Sequence, residues 1–143
     1  MKLVSTILLA AISVVATAQP EEAEVKNVIN VAYIGGIHNG GPVADIRKGF
    51  HRSFNMLRLM ENEVKPLPIE EWIKNIEANR AKNPNAVNPK VEGKFISVSV
   101  AGTSASVVLE LYREGKMIFT DHLLLYKFNE GWRIVSKIYY RYP

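Results

Sequence analysis

The chain has 143 residues, room for one domain and a short processed segment but not for two full domains. Hydrophobic residues make up 48% and charged residues 22%, which excludes wholesale disorder, collagen-like repeats and a multi-span membrane protein. Cysteine is absent, so disulfide scaffolds, thiolate metal sites and cysteine nucleophiles are excluded together.

Met1-Lys2 opens with positive charge, Leu3 to Val15 is uncharged and mostly apolar, and Ala16-Thr17-Ala18 supplies a small-x-small site. This is the pattern of a secretory signal peptide over residues 1–18, too short in its apolar run to span a bilayer. Cleavage after Ala18 would leave one domain, residues 19–143, secreted or periplasmic, with no membrane association. That chain has 17 basic and 14 acidic residues, net +3, a solubilising charge rather than a nucleic-acid footprint. Nucleic acid is therefore not an expected partner.

Glu21 to Ile37 reads as a helix, with Val25, Val28, Ile29, Ala32 and Gly36 at helical spacing and glutamates in the first turn. His38-Asn39-Gly40-Gly41-Pro42 reads as its stop, with His38 in a solvated turn. Val43 to Phe50 is a short second helix. Ser53 to Met60 is a strand whose Phe54, Met56 and Arg58 share a face, and Glu61-Asn62 turns into a short strand ending at Pro66. Ile69 to Arg80 is an amphipathic helix with an Ile69, Trp72, Ile73, Ile76 stripe. After an asparagine- and proline-rich loop come four strands: Val91 to Ala101, Thr103 to Arg113, Lys116 to Phe128 and Trp132 to Arg141. Glu114-Gly115 marks a two-residue hairpin, and Asn129-Glu130-Gly131 fits a three-residue one.

Those turns predict a register. Pairing Arg113 with Lys116, and Phe128 with Trp132, collects Ala105, Val107, Leu109, Leu111, Ile118, His122, Leu124, Tyr126, Ile134, Ile138 and Tyr140 on a core face. The opposite face then holds Tyr112, Phe119, Leu123, Leu125 and Tyr139 beside Glu110, Asp121 and Lys137. It is too apolar to be left in water, so a homodimer through that face is expected, unless a helix or terminus of the same chain covers it.

Tyr33-Ile34 ahead of Gly40-Gly41, Phe50-His51, Glu70-Glu71-Trp72-Ile73, and Asp121 to Phe128 followed by Gly131-Trp132-Arg133-Ile134-Val135 come in a particular order and spacing. In this the chain resembles the NTF2-like superfamily: an α+β cone with N-terminal helices packed on a curved antiparallel sheet. The likeness is to its secreted branch of putative lumazine-binding proteins, near SnoaL-like and ketosteroid-isomerase-like relatives. The isomerase design implied by the resemblance uses a helix tyrosine, an acid and a carboxylate base. The tyrosine matches Tyr33, but the base position falls near Arg58 and the acid position on Leu124. A guanidinium cannot act as base at neutral pH and leucine donates no hydrogen bond, so that mechanism is not expected.

The expected function is binding of a small, partly apolar or aromatic molecule in the cone. Phe54, Met56, Trp72, Tyr126 and Tyr140 would bury it, and Tyr33, Arg58 and His122 would orient it. The alternatives are a SnoaL-like enzyme using His122 with Tyr33, and a protein-interaction module. Three scattered histidines (His38, His51, His122) give no metal motif, and no cofactor signature is present.

Overall fold

The structure is a computed structural model that describes residues 18–143; the signal-peptide reading lies outside them, apart from Ala18. Three α-helices pack on one six-stranded sheet. Helix α1 (Ala18–Val28) runs without interruption into a π-helical segment (Ile29–His38), followed by α2 (Val43–Gly49), β1 (Phe50–Met60), β2 (Glu63–Pro68), α3 (Ile69–Lys82), β3 (Val91–Ala101), β4 (Ser104–Arg113), β5 (Lys116–Phe128) and β6 (Gly131–Arg141). None of the helices among the described residues is long and apolar enough to cross a membrane.

The sheet order is β2-β1-β6-β5-β4-β3. All neighbours are antiparallel except β1 and β6, which run parallel. The sheet is thus mixed where the sequence suggested a purely antiparallel one. A parallel pair needs a long connection, and here most of the chain lies between the two strands. The turn at Glu61-Asn62 and the one at Glu114-Gly115 both use positive φ at their central residues, the hairpin geometry that follows strand twist.

Besides a register shift in β1 between Phe50 and Asn55, three single-residue bulges bend the sheet. Each inserts one β-branched residue: Ile96 in β3, Ile118 in β5 and Val135 in β6. A bulge adds curvature and also reverses which face every later side chain meets. That reversal overturns the predicted facing. Arg113 does pair with Lys116, but beyond Ile118 the partners slip by one, so Val107 lies opposite Leu123 rather than His122. The second hairpin is a two-residue turn pairing Phe128 with Gly131, and the Val135 bulge then restores the expected His122–Ile138 and Asp121–Tyr139 pairs.

The result is that Leu123 and Leu125 join Ala105, Val107, Leu109 and Leu111 under the helices, while His122, Leu124, Tyr126, Ile138 and Tyr140 face outward. Of the set predicted to be buried on β6, Ile134 alone is core, because it precedes the bulge. The core itself is the inner sheet face packed against Val25, Ile29, Ala32, Tyr33, Ile34, Ile46, Ile69 and Ile73.

The expected dimer contacts change with it. Leu123 and Leu125 are buried by the chain's own helices, the alternative left open above. Phe119 and Tyr139 lie on the inner side, where their rings meet edge to face. Of the five residues named for the interface, Tyr112 stays outside, donating to Glu110.

Candidate functional site

The interior holds a charged cluster that the predicted register had placed outside. Tyr33 comes from the π segment, Asp121 from β5 and Lys137 from β6. Lys137 lies opposite Leu123 and Asp121 opposite Tyr139, so the two charges are diagonal neighbours on the inner face. The Tyr33 hydroxyl donates to Asp121 Oδ2 at 2.6 Å, Lys137 Nζ donates to Asp121 Oδ1 at 2.7 Å, and Nζ also donates to the Tyr33 oxygen at 2.5 Å. Three side chains therefore close a ring of hydrogen bonds. Asp121 is 0% exposed and Lys137 4%.

Removing two charges from water costs several kcal/mol per ion, by general estimate, unless each is paired and its remaining valences are met. Here an aromatic lining completes the pairing. The Lys137 ammonium lies 4.6 Å from the centre of the Tyr33 ring, 4.9 Å from Tyr139 and 5.8 Å from Trp72. Burial pushes the Lys137 ammonium below its ordinary range, against the pull of the Asp121 carboxylate. Burial, then the Asp121 charge, raise the Tyr33 phenol well above its ordinary range. Asp121 accepts from two donors, so it is not the proton-donating acid of an isomerase-type oxyanion site.

His38 extends this cluster outward. Its ring meets Tyr33 at 4.8 Å, edge to face, and Phe119 at 6.2 Å. In an α-helix, positions five apart are well round the cylinder from each other, but i→i+5 hydrogen bonding brings them to the same side. The Asn39 N–H bonded to the Ile34 carbonyl shows that winding at the segment's end. His38 is therefore not in a solvated turn, as the sequence suggested. Its Nε2 is buried with no hydrogen-bond partner among the described residues. Burial first, then the charges of Lys137 and Arg113, hold the imidazole down at about 3.

His38 also lines a cleft of about 720 Å³ between the end of the π segment, α3 and the loop after it. Ile37, Ile76 and Pro84 give it apolar walls, and Asn79, Asn83 and Asn88 bring amide groups that both donate and accept. Arg80 braces the cleft, its guanidinium donating to the carbonyls of Gly36 and Gly41. Gly41 approaches the Gly35 carbonyl so closely that a Cβ there would lie 3.0 Å from it.

The residues chosen from sequence divide between the two faces. Tyr33, Phe54, Met56 and Trp72 are inside and close together. Phe54 and Trp72 stack at 6.1 Å, and Phe50 meets both. The centre of the cone is thus filled with side chains. Arg58 lies at the rim and donates to the Lys65 carbonyl at 3.4 Å. His122, Tyr126 and Tyr140 are outside, turned there by the Ile118 and Val135 bulges, and cannot line the interior. His122 and Tyr33 are on opposite sides of the sheet, so they cannot act on one substrate atom.

Asp121, Lys137 and His38 are the site residues that sequence reasoning misplaced, the two charges on the outer face and the histidine in a solvated turn. The available signal was an aspartate and a lysine on adjacent predicted strands, with a tyrosine five residues before a histidine. Among the described residues no group of three His, Cys, Asp or Glu side chains could hold a metal.

The architecture is the NTF2-like fold. An NTF2-like protein of unknown function from Shewanella baltica OS155 superposes with a TM-score of 0.72 at 22% identity, over 90% of this chain and 98% of that one. Another from Silicibacter pomeroyi DSS-3 gives 0.69 at 20%, over 88% and 99%. A domain of unknown function with a cystatin-like fold from Nostoc punctiforme gives 0.63 at 16%, over 89% and 80%. The chain belongs to the family described as putative lumazine-binding, whose model matches residues 20–140. Among curated proteins, none matches the chain by sequence.

Proposed function

We propose that this is an exported, non-catalytic small-molecule-binding protein. Its ligand is a flat, partly aromatic molecule seated in the cleft beside His38. The observation that carries this reading is the cleft itself, about 720 Å³, with His38 in its wall between the apolar Ile37, Ile76 and Pro84 and the amides of Asn79, Asn83 and Asn88. The mixed amide and apolar lining suits a heterocycle with both donors and acceptors on its edge. The family's description, lumazine-binding, agrees with that chemistry.

Non-catalysis rests on the cluster behind the cleft. The Tyr33 hydroxyl, the Asp121 carboxylate and the Lys137 ammonium bond one another and leave no group free to touch a substrate. Their role is to hold the π segment, and with it His38, against the sheet. Export rests on the leader-like residues 1–18.

Calorimetric titration with lumazine and riboflavin tests the reading. At least one should bind, and His38→Ala should weaken it about fivefold or more, because the residue is part of the cleft wall. Binding by none of these probes, or binding untouched in His38→Ala, overturns it.

A further inference from the structure

A second cleft, of about 550 Å³, shares no lining residue with the one beside His38. It is formed where the end of α2, the start of β1, the start of α3 and the β5–β6 hairpin meet. Nothing in the cluster or the first cleft uses its residues.

Its chemistry is one-sided. Arg47, Arg52 and Arg133 bring three guanidinium groups, against the carboxylates of Glu70 and Glu130. Arg47 and Glu70 satisfy each other through two hydrogen bonds, at 3.2 and 2.9 Å. Arg133 donates one N–H to the Arg47 carbonyl at 3.4 Å, which leaves most of its fork open. Arg52 has no hydrogen bond or ion pair among the described residues. Two guanidinium groups thus face the cleft with Glu130 as the opposing charge, a net of one positive.

His51 adds a surface. Its Nδ1 meets the Ser53 hydroxyl at 2.6 Å and the Ser53 backbone N–H at 3.2 Å. The His51 ring stacks on Phe128 with centres 4.5 Å apart and planes 3° from parallel. Both rings are only partly buried, so the pair offers flat aromatic surface to the cleft.

We propose that this cleft binds a flat aromatic monocarboxylate, its ring on the His51–Phe128 pair and its carboxylate held by Arg52 and Arg133. Paired donors in fork geometry match a carboxylate. A single negative charge neutralises the net positive one, whereas a dianion would leave the cleft net negative. The inference is independent of the His38 cleft, since the two share no lining residue.

The test is titration of the protein with 2-naphthoate and with its uncharged amide, followed by heat and by backbone amide shifts. The naphthoate should bind at least about tenfold tighter than the amide, with shifts centred on His51, Phe128 and Arg133. Arg52→Ala and Arg133→Ala should each weaken it about fivefold or more, and the pair together should abolish the preference. His38→Ala should leave it unchanged. These arginines are outside the core, so an unaltered circular dichroism spectrum will show that the fold survives. Equal binding of acid and amide, shifts centred elsewhere, or naphthoate binding retained in the double variant overturns the proposal.

Discussion

The two faces of the sheet reverse the usual arrangement of polarity. The inner face carries a full ion pair in a dry aromatic setting, Asp121 with Lys137. The outer face of the same two strands carries Leu124, Tyr126, Ile138 and Tyr140, each between 51% and 60% exposed. Side chains adjacent in sequence, such as Asp121 and His122 or Leu123 and Leu124, thus have opposite solvation. What decides burial is the bulge at Ile118 and the one at Val135, not the hydropathy of the residue. A backbone feature of one residue outweighs the preference of several side chains because it shifts them all together.

The largest effect that separates the two faces is expected at Asp121. Asp121→Ala strands the Lys137 ammonium in the core and should cost about 3–5 kcal/mol in denaturant unfolding. Replacing both charges, as in Asp121→Leu with Lys137→Met, should recover most of that loss, because no unpaired charge remains. A single variant as stable as the parent would mean that Asp121 is solvated, and the inner face would not be the one described.

Next in size is the contrast between neighbours. Leu123→Ala should cost about 2–5 kcal/mol, and Leu124→Ala no more than about 0.5 kcal/mol. Urea midpoints of the two variants measure this directly, and equal losses would refute the facing. Tyr33→Phe keeps the ring but removes the bond to Asp121 and the acceptor for Lys137. It should cost about 1–3 kcal/mol, less than Asp121→Ala, because the ion pair itself survives.

Much of the fold was legible in the sequence. The stripe from Ile69 to Ile76, the hairpin at Glu114-Gly115 and the limits of β3 and β5 are as predicted. These features declare themselves locally. In β4 the facing was also right, because Ser104, Ser106 and Glu110 alternate with Ala105, Val107, Leu109 and Leu111. In β5 it was not, because leucine occupies both phases at positions 123 to 125 and the period-two pattern has no contrast to read. A bulge leaves no mark in composition. The site was hidden by the same ambiguity, and by the π winding that brings His38 back over Tyr33. Tyr33 and Trp72 lie inside, where they were placed; Asp121 and Lys137 were assigned to the wrong side.

A pH-dependent effect concerns His38 and folding. The unfolded imidazole takes up a proton near 6.5, whereas the folded one does so only near about 3, chiefly because it is buried. Between those values the unfolded chain binds more protons, so acidification favours unfolding. Stability should therefore fall as pH drops below about 6.5, with a slope from this group of at most one proton. His38→Gln should flatten that part of the profile. An unchanged profile would mean that the ring titrates freely in the folded protein and that the inner layer is open there.

The smallest effect on folding, and the most informative about the outer face, belongs to Leu124→Glu. The outward positions on the two central strands include Thr120, His122, Leu124 and Tyr126 on β5, and Arg133, Ser136, Ile138 and Tyr140 on β6. Arg133, opposite Tyr126 at the hairpin end, is the one carboxylate, lysine or arginine among them. A second copy laid face to face across a two-fold axis meets no like charge in the middle and removes apolar side chains from water on both sides. We therefore propose that the self-association expected from sequence uses this face, through Leu124, Tyr126, Ile138 and Tyr140. Sedimentation of the parent should give a dimer, and Leu124→Glu should give a monomer with an unfolding midpoint within about 0.5 kcal/mol of the monomeric parent's at matched dilution. A parent that sediments as a monomer at high concentration would leave this face to water and refute the dimer. The inner-face predictions would be untouched, because Leu123 and Asp121 are buried by the chain's own helices whether or not a partner is present.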